Sequence, residues 1–167
     1  MTSLAIRWFP DPILKQPTDP IVRLDSPIRK LIDHMIATMR AHPRCVGLAA
    51  PQVGSPLRIA VMDATGHPKT TSSLGLIVLV NPQLLEADGE VIQREGCLSV
   101  PDVTANVRRS ARVRVKAFDR FGASREWRLE GFEAIIAQHE IDHLDGLLFL
   151  DRVANLATDV FRRKTYF

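Results

Sequence analysis

The 167-residue chain predicts an α+β fold, mainly antiparallel β-sheet packed around a central helix, and three observations carry that prediction. Two helical patterns stand about half the chain apart. Strand patterns both precede and follow a loop-rich centre. One strand pair is joined by a tight turn, where a regular β-α-β wind would need a crossover helix. The length fits one domain over residues 1–167, large enough to bury a core without disulfide staples.

Taken in order, the opening segment holds Pro10, Pro12, Pro17 and Pro20 and predicts extended chain and turns. A helix follows, with Ser26 expected as N-cap and Pro27 in the first helical position. Ile28, Leu31, Ile32, Met35 and Met39 recur at helical spacing and Pro43 ends the element. His34 and His42 read as surface or hydrogen-bonded residues. CVGLAAPQVG (45–54) reads as a loop of small residues. Strands are expected over 56–63 and 75–81, with a polar loop at 66–73 between them as the expected mobile segment. GEVIQREG (89–96) alternates and leads into REGCLSVPD (94–102). ARVRVKAF (111–118) alternates strictly, placing Arg112, Arg114 and Lys116 on a solvated face. DRFG (119–122) turns this strand into a partner running through Trp127 and Leu129. The last strong pattern is GFEAIIAQHEIDHLDG, bracketed by Gly131 and Gly146.

Composition narrows the function classes. Apolar residues make up 46% and charged residues 25%, with a formal net charge of +3, as in an ordinary globular protein. The clusters Arg108-Arg109, Arg112 with Arg114, and Arg162-Arg163-Lys164 lack the interleaved aromatics of single-strand binders, so direct nucleic-acid recognition is not expected. The start has no export-signal pattern, and the longest apolar run, LGLIVLV (74–80), is too short to span a bilayer. A cytoplasmic protein without membrane association is expected, with Cys45 and Cys97 reduced and free to act as thiolates.

The second helix carries the chemistry. Phe132, Ile135, Ile136, His139 and His143 share one stripe, so both imidazoles are expected to point inward from an amphipathic helix. His139, Glu140 and His143 form H-E-x-x-H, an arrangement in which two ligands one turn apart aim at one ion. Glu140 projects about a quarter turn away and can serve as the base that activates a water at the metal. A catalytic ion usually takes a third protein ligand. In one extended form of the motif that ligand would stand at position 149, which is Phe149. The 24 residues after His143 contain no Glu and no His. The third ligand is therefore sought upstream, where Cys97 is the candidate, since a thiolate suits a borderline or soft divalent ion.

Three motifs in order give the chain a family resemblance: CVGLAAPQ (45–52), EGCLS (95–99) and QHEIDHLDG (138–146), the last trailed by LLFLDR (147–152). With the opening FPDPIL (9–14), the chain resembles the peptide deformylases along nearly its whole length. The resemblance implies Cys97, His139 and His143 as metal ligands and Glu140 as catalytic acid/base. It implies the Gln52 amide and the Leu98 N–H as donors to the developing oxyanion. It also implies that Val46, Gly47, Glu95 and Gly96 flank the substrate backbone, and that Ile135 and Ile136 border the methionine pocket together with His139. The implied reaction removes the formyl group from N-formylmethionyl nascent chains. The implied cofactor is one divalent ion, Fe²⁺ in the cell, with Zn²⁺, Ni²⁺ or Co²⁺ also compatible with the ligand set. The ribosome is an implied neighbour, although the stretch after Arg152 is short for a contact through a long basic helix.

The chief departure from the family pattern is Cys45, which stands where the first motif begins with glycine. A glycine there would suggest positive φ or close backbone approach; a cysteine would narrow the cleft or offer a redox-sensitive thiol. The 66–73 loop reads as an insertion that partly lids the site. Two rival readings share the motifs: an H-E-x-x-H endopeptidase, and a deformylase-like protein that is catalytically weak or only binds metal or formylated chains.

Overall fold

The computed structural model describes residues 2–164. Among these residues eight strands form two antiparallel sheets. The five-stranded sheet has the order β1 (Gly47–Ala49), β2 (Ile59–Met62), β3 (Ile77–Asp88), β6 (Arg112–Phe118) and β7 (Ser124–Glu130). The three-stranded sheet has the order β4 (Val91–Cys97), β5 (Val100–Arg109) and β8 (Val160–Arg162). Helix α1 (Ser26–Ala41) packs on β1 and β2, and helix α2 (Gly131–Leu144) packs on β1, β2 and β7. Side chains of β4 and β5 reach α2 from the other sheet. The long second helix therefore sits at the centre of an α+β structure, as expected.

The helix ends have local causes. Asp25, not Ser26, caps α1: its Oδ1 accepts the Ile28 N–H at 3.2 Å. A carboxylate one residue earlier aims at the first free amides better than the hydroxyl of a residue already helical. At the far end of α2, Gly146 adopts φ +76°, and a Cβ there would stand 2.8 Å from backbone carbon of Gln16. Both the left-handed turn and the close approach require glycine.

Among the described residues three apolar clusters fill the core. One joins the five-stranded sheet to α2 through Leu79, Val115, Leu129, Ile136 and Leu144. A second lies beneath α1, with Met35, Met39, Ile59 and Val61. The third backs the smaller sheet with Leu14, Val107, Leu148 and Phe149, and includes Cys97. The alternation of β6 holds: Val113, Val115 and Ala117 are buried while Arg112 and Lys116 face outward.

Several expectations need correction. α2 is not one-sided: Glu133, Ala137, Glu140, Asp142 and Leu144 are buried along with its apolar stripe, because the helix is covered on both sides. The 45–54 loop contains strand β1 and a 3-10 turn, Ala50–Val53. β3 runs seven residues past the expected end at 81, reaching Asp88. β5, β8 and the short helix α3 (Leu156–Asp159) were not foreseen. Arg109, grouped with surface cations by sequence, is 6% exposed.

Candidate active site

The three expected ligands come from separate elements. Cys97 ends β4, while His139 and His143 sit one turn apart on α2. One ligand atom from each lies within 4.8 Å of the others, and among the described residues no other group of His, Cys, Asp and Glu side chains meets that condition. Cys97 Sγ is 3.3 Å from His143 Nε2. His139 Nδ1 is 2.8 Å from Glu95 Oε1, which fixes the ring and leaves Nε2 free for an ion.

The electrostatics suit a cation. Burial alone would raise the Cys97 thiol, but the two imidazoles hold it well below its ordinary value. Sγ also accepts from the Ser99 N–H at 3.4 Å and the Gln52 amide at 3.3 Å. A thiolate held this way is a ready ligand. Burial would depress His139, yet Cys97 and Glu95 keep it well above the usual imidazole range. Of the four buried side-chain atoms without a hydrogen-bond partner among the described residues, two belong to this site, Glu140 Oε2 and His143 Nδ1; native structures keep such atoms rare. The donor set and the orphaned Glu140 oxygen fit a divalent ion.

Glu140 is 3% exposed, far from the solvated helix glutamate that its position alone would allow. Burial raises its carboxyl to about 7, where a group can both take and return a proton at neutral pH. Its place depends on Gly47, because a Cβ on that glycine would meet Glu140 Oε1 and stand 2.8 Å from Cδ.

Around the trio, the structure adds a set of positioning residues. Glu95 is buried and binds Arg109 through two contacts, Nε–Oε2 at 2.8 Å and Nη2–Oε1 at 2.9 Å. Arg109 Nη1 reaches Asp142 at 2.6 Å, and Arg152 holds the same aspartate at 2.8 and 3.1 Å. Burial opposes the charge on Glu95, but Arg109 and His139 hold its carboxyl at about 2. A chain of charges thus runs from the surface to the ring of His139. Phe149, where an extended motif would have a third histidine, stacks on that ring with centroids 6.2 Å apart. Sequence reading missed Arg109, Asp142 and Ser99. Asp142 and Ser99 lie inside the quoted motifs, so a question about what orients each ligand could have found them.

Gln52 is anchored as an oxyanion donor would need to be. Its Oε1 accepts the Ala49 N–H at 2.9 Å, and its amide nitrogen faces Cys97 and Ser99. The N-terminal segment braces these loops, with Arg7 N–H donating to Gln52 O and Phe9 N–H to Ser99 O.

A cleft of about 1100 Å³ opens over the trio. Val46, Gly47, Gln52, Glu95, Gly96, Cys97, Leu98, Ile135, Ile136, His139 and Glu140 all line it. His143 lies beneath at 1% exposure. The 66–73 loop contributes His67, stacked 4.5 Å from Phe132, and Lys69. Cys45 also lines the cleft, but burial pushes its thiol up to about 12. The sequence reading treated the two thiols alike, but their surroundings pull them apart, Cys97 down and Cys45 up. Cys45 Sγ donates to Gly47 O at 3.2 Å, and the left-handed residue is its neighbour Arg44, at φ 63°.

Among the described residues no helix is long and apolar enough to cross a membrane. A family model, polypeptide deformylase, matches residues 3–159. The chain is 47% identical over 157 residues to a peptide deformylase of Mesorhizobium japonicum, covering 93% of this chain and 87% of that one. A crystal structure of a peptide deformylase from Legionella pneumophila superposes with TM-score 0.84 at 42% identity, covering 93% and 88% of the two chains. A class I type b peptide deformylase from Acinetobacter baumannii, solved with Met-Ala-Ser bound, gives TM-score 0.85 at 35% identity, covering 91% and 100%. Full-length likeness in sequence and fold, around a cysteine and two histidines already gathered beside a buried glutamate, places this chain in the polypeptide deformylase family.

Proposed function

We propose that the chain hydrolyses the N-formyl group of formylmethionyl peptides, with Cys97, His139 and His143 holding one divalent ion. The observation that carries this reading is the convergence of those three ligand atoms within 4.8 Å, beside a carboxyl raised to about 7. When bound, such an ion supplies Lewis acidity, lowering the pKa of a coordinated water toward about 7 and polarising a carbonyl.

The chain's own groups do the rest. Glu140 takes a proton from the attacking water and returns it to the amine nitrogen as the C–N bond breaks and formate leaves. The Gln52 amide and the Leu98 N–H donate to the formyl oxygen as it gains charge; one such donor is typically worth about 2.7–4 kcal/mol in the transition state. To do so Gln52 redirects one of its two amide donors, which here meet Cys97 Sγ at 3.3 Å and Ser99 Oγ at 3.2 Å. Val46, Gly47 and Gly96 offer backbone edges to an extended peptide, and Ile135 and Ile136 border the methionine side chain. Glu95 acts through His139, which it orients.

The ion in the cell is Fe²⁺ on this reading, with zinc as the alternative, and the protein works in the cytoplasm near the ribosome on emerging chains. Formate release from formyl-Met-Ala-Ser by anaerobically Fe²⁺-loaded protein tests the activity. Acetyl-Met-Ala-Ser should be inert. Cleavage of internal peptide bonds without formate release would overturn the proposal in favour of an endopeptidase.

A further inference from the structure

Over much of the surface the cations are matched. Arg112 pairs with Asp88, Arg114 with Glu86 and Glu126, Arg125 with Asp119, and Arg58 with Asp145. The mouth of the active-site cleft is built differently. Lys69 from the 66–73 loop, Arg94 from β4, and Arg162, Arg163 and Lys164 at and after β8 all line it. Among the described residues, none of these five is ion-paired to a carboxylate; the other ion pairs found join different residues. The acidic residues lining the cleft, Glu95 and Glu140, are buried, and Glu95 is already bound to Arg109.

Lys69 and Arg94 are held in place by neutral partners, and Arg163 through its backbone. Lys69 Nζ donates to Arg94 O at 3.2 Å and lies 5.6 Å over the Phe132 ring. Arg94 stacks 3.6 Å over Phe161 and donates to Asn106 Oδ1 at 3.0 Å. Arg163 N–H donates to Asp102 O at 2.9 Å, and its guanidinium covers Gly96, where Cζ would stand 3.3 Å from an added Cβ. An aromatic face with a carbonyl or amide oxygen positions Lys69 and Arg94 without neutralising them, which leaves their charge available to an incoming anion.

We infer that this rim determines substrate preference: it selects formylmethionyl chains with acidic side chains at their third and fourth residues, with Lys69 and Arg163 as the main contacts. The inference rests on the deformylase reading of the site. β4 covers about 10 Å from Arg94 to Cys97. A peptide laid beside it with its formyl end at Cys97 brings those residues level with the rim. A polynucleotide is the poorer occupant, since Phe132 and Phe161 are covered by Lys69 and Arg94 and offer no open ring for base stacking.

Calorimetry on the metal-loaded full chain at low ionic strength tests this with the product peptides Met-Ala-Glu-Glu, Met-Ala-Ser-Ser and Met-Ala-Lys-Lys. The glutamate peptide should bind about fivefold more tightly than the serine peptide, the lysine peptide should bind most weakly, and salt should close the gap. Lys69→Gln combined with Arg163→Gln should cut the glutamate preference below about twofold. Arg112→Gln with Arg114→Gln, which removes equal charge from β6, should leave it intact. Equal affinities, or equal losses in both double variants, would overturn the inference. So would tight binding of a short RNA hairpin with no ranking among the peptides. Absence of formate release from the formylated versions would strike the hydrolase reading alone, because the affinity ranking still upholds or overturns the rim.

Discussion

Arg109 and Arg112 close β5 and open β6, and each forms a forked pair with a carboxylate. Arg109 grips Glu95 at 2.8 and 2.9 Å with 4% of its side chain exposed. Arg112 grips Asp88 at 3.0 and 3.2 Å with 60% exposed. Geometry hardly separates the two pairs; solvent does. Water screens the outer pair and leaves it worth little. Inside, each charge depends on its partner, because removing one strands the other in a low-dielectric interior. The difference teaches where this fold has committed its charges. The inner set orients the ring of His139, and the outer set decorates a sheet.

Four experiments break or sharpen that contrast. The largest effect is expected at the innermost carboxylate: Glu140→Ala should lower turnover by about 10²–10⁴-fold while metal analysis still finds near one ion per chain. Loss of the ion in that variant would move Glu140 from proton carrier to ligand support. Next, Arg109→Ala should destabilise the protein by about 3–5 kcal/mol in denaturant unfolding, since Glu95 and Asp142 lose their shared cation. The same variant should change the acid limb. The Glu95 carboxyl lies at about 2 in the folded chain against an ordinary 4.5, so the unfolded chain binds the extra proton between those values. Its stabilisation is complete above about 4.5 and lost as pH falls toward 2, and the variant should lose this part of the slope.

Gly47→Ala should then cost activity of about 10²-fold, because the added methyl displaces Glu140; unchanged kinetics would mean that the carboxyl has room to move. The smallest effect belongs to Arg112→Ala, at most about 1 kcal/mol and reduced further by salt. A cost there matching Arg109→Ala would erase the distinction between the two regions.

The placing of His139, Glu140 and His143 on one inward helix was legible in the sequence because it is carried by local spacing. His139 and His143 must share a helix face at that interval, and Glu140 follows from the same geometry. The β6–β7 hairpin was legible because strict alternation is a local property. Less local features escaped. β5 contains Pro101, Asp102 and Asn106, which blur its alternation, and it is a strand because β4 and β8 flank it. Arg109 reads as one of two adjacent surface cations until Glu95 and Asp142, far away in sequence, close around it. Ser26 read as a cap because the hydroxyl preference is statistical, whereas the aim of Asp25 is geometric.

The sequence by itself determined the reactive groups and the helix that presents two of them, since residue chemistry and a 3.6-residue period need no partner to act. Only the tertiary structure decided that the Cys97 sulfur meets those imidazoles, that Glu140 is buried and raised to about 7, and that Arg109 is a core residue. Those outcomes depend on which segments exclude water from one another, and desolvation is a property of the packed whole.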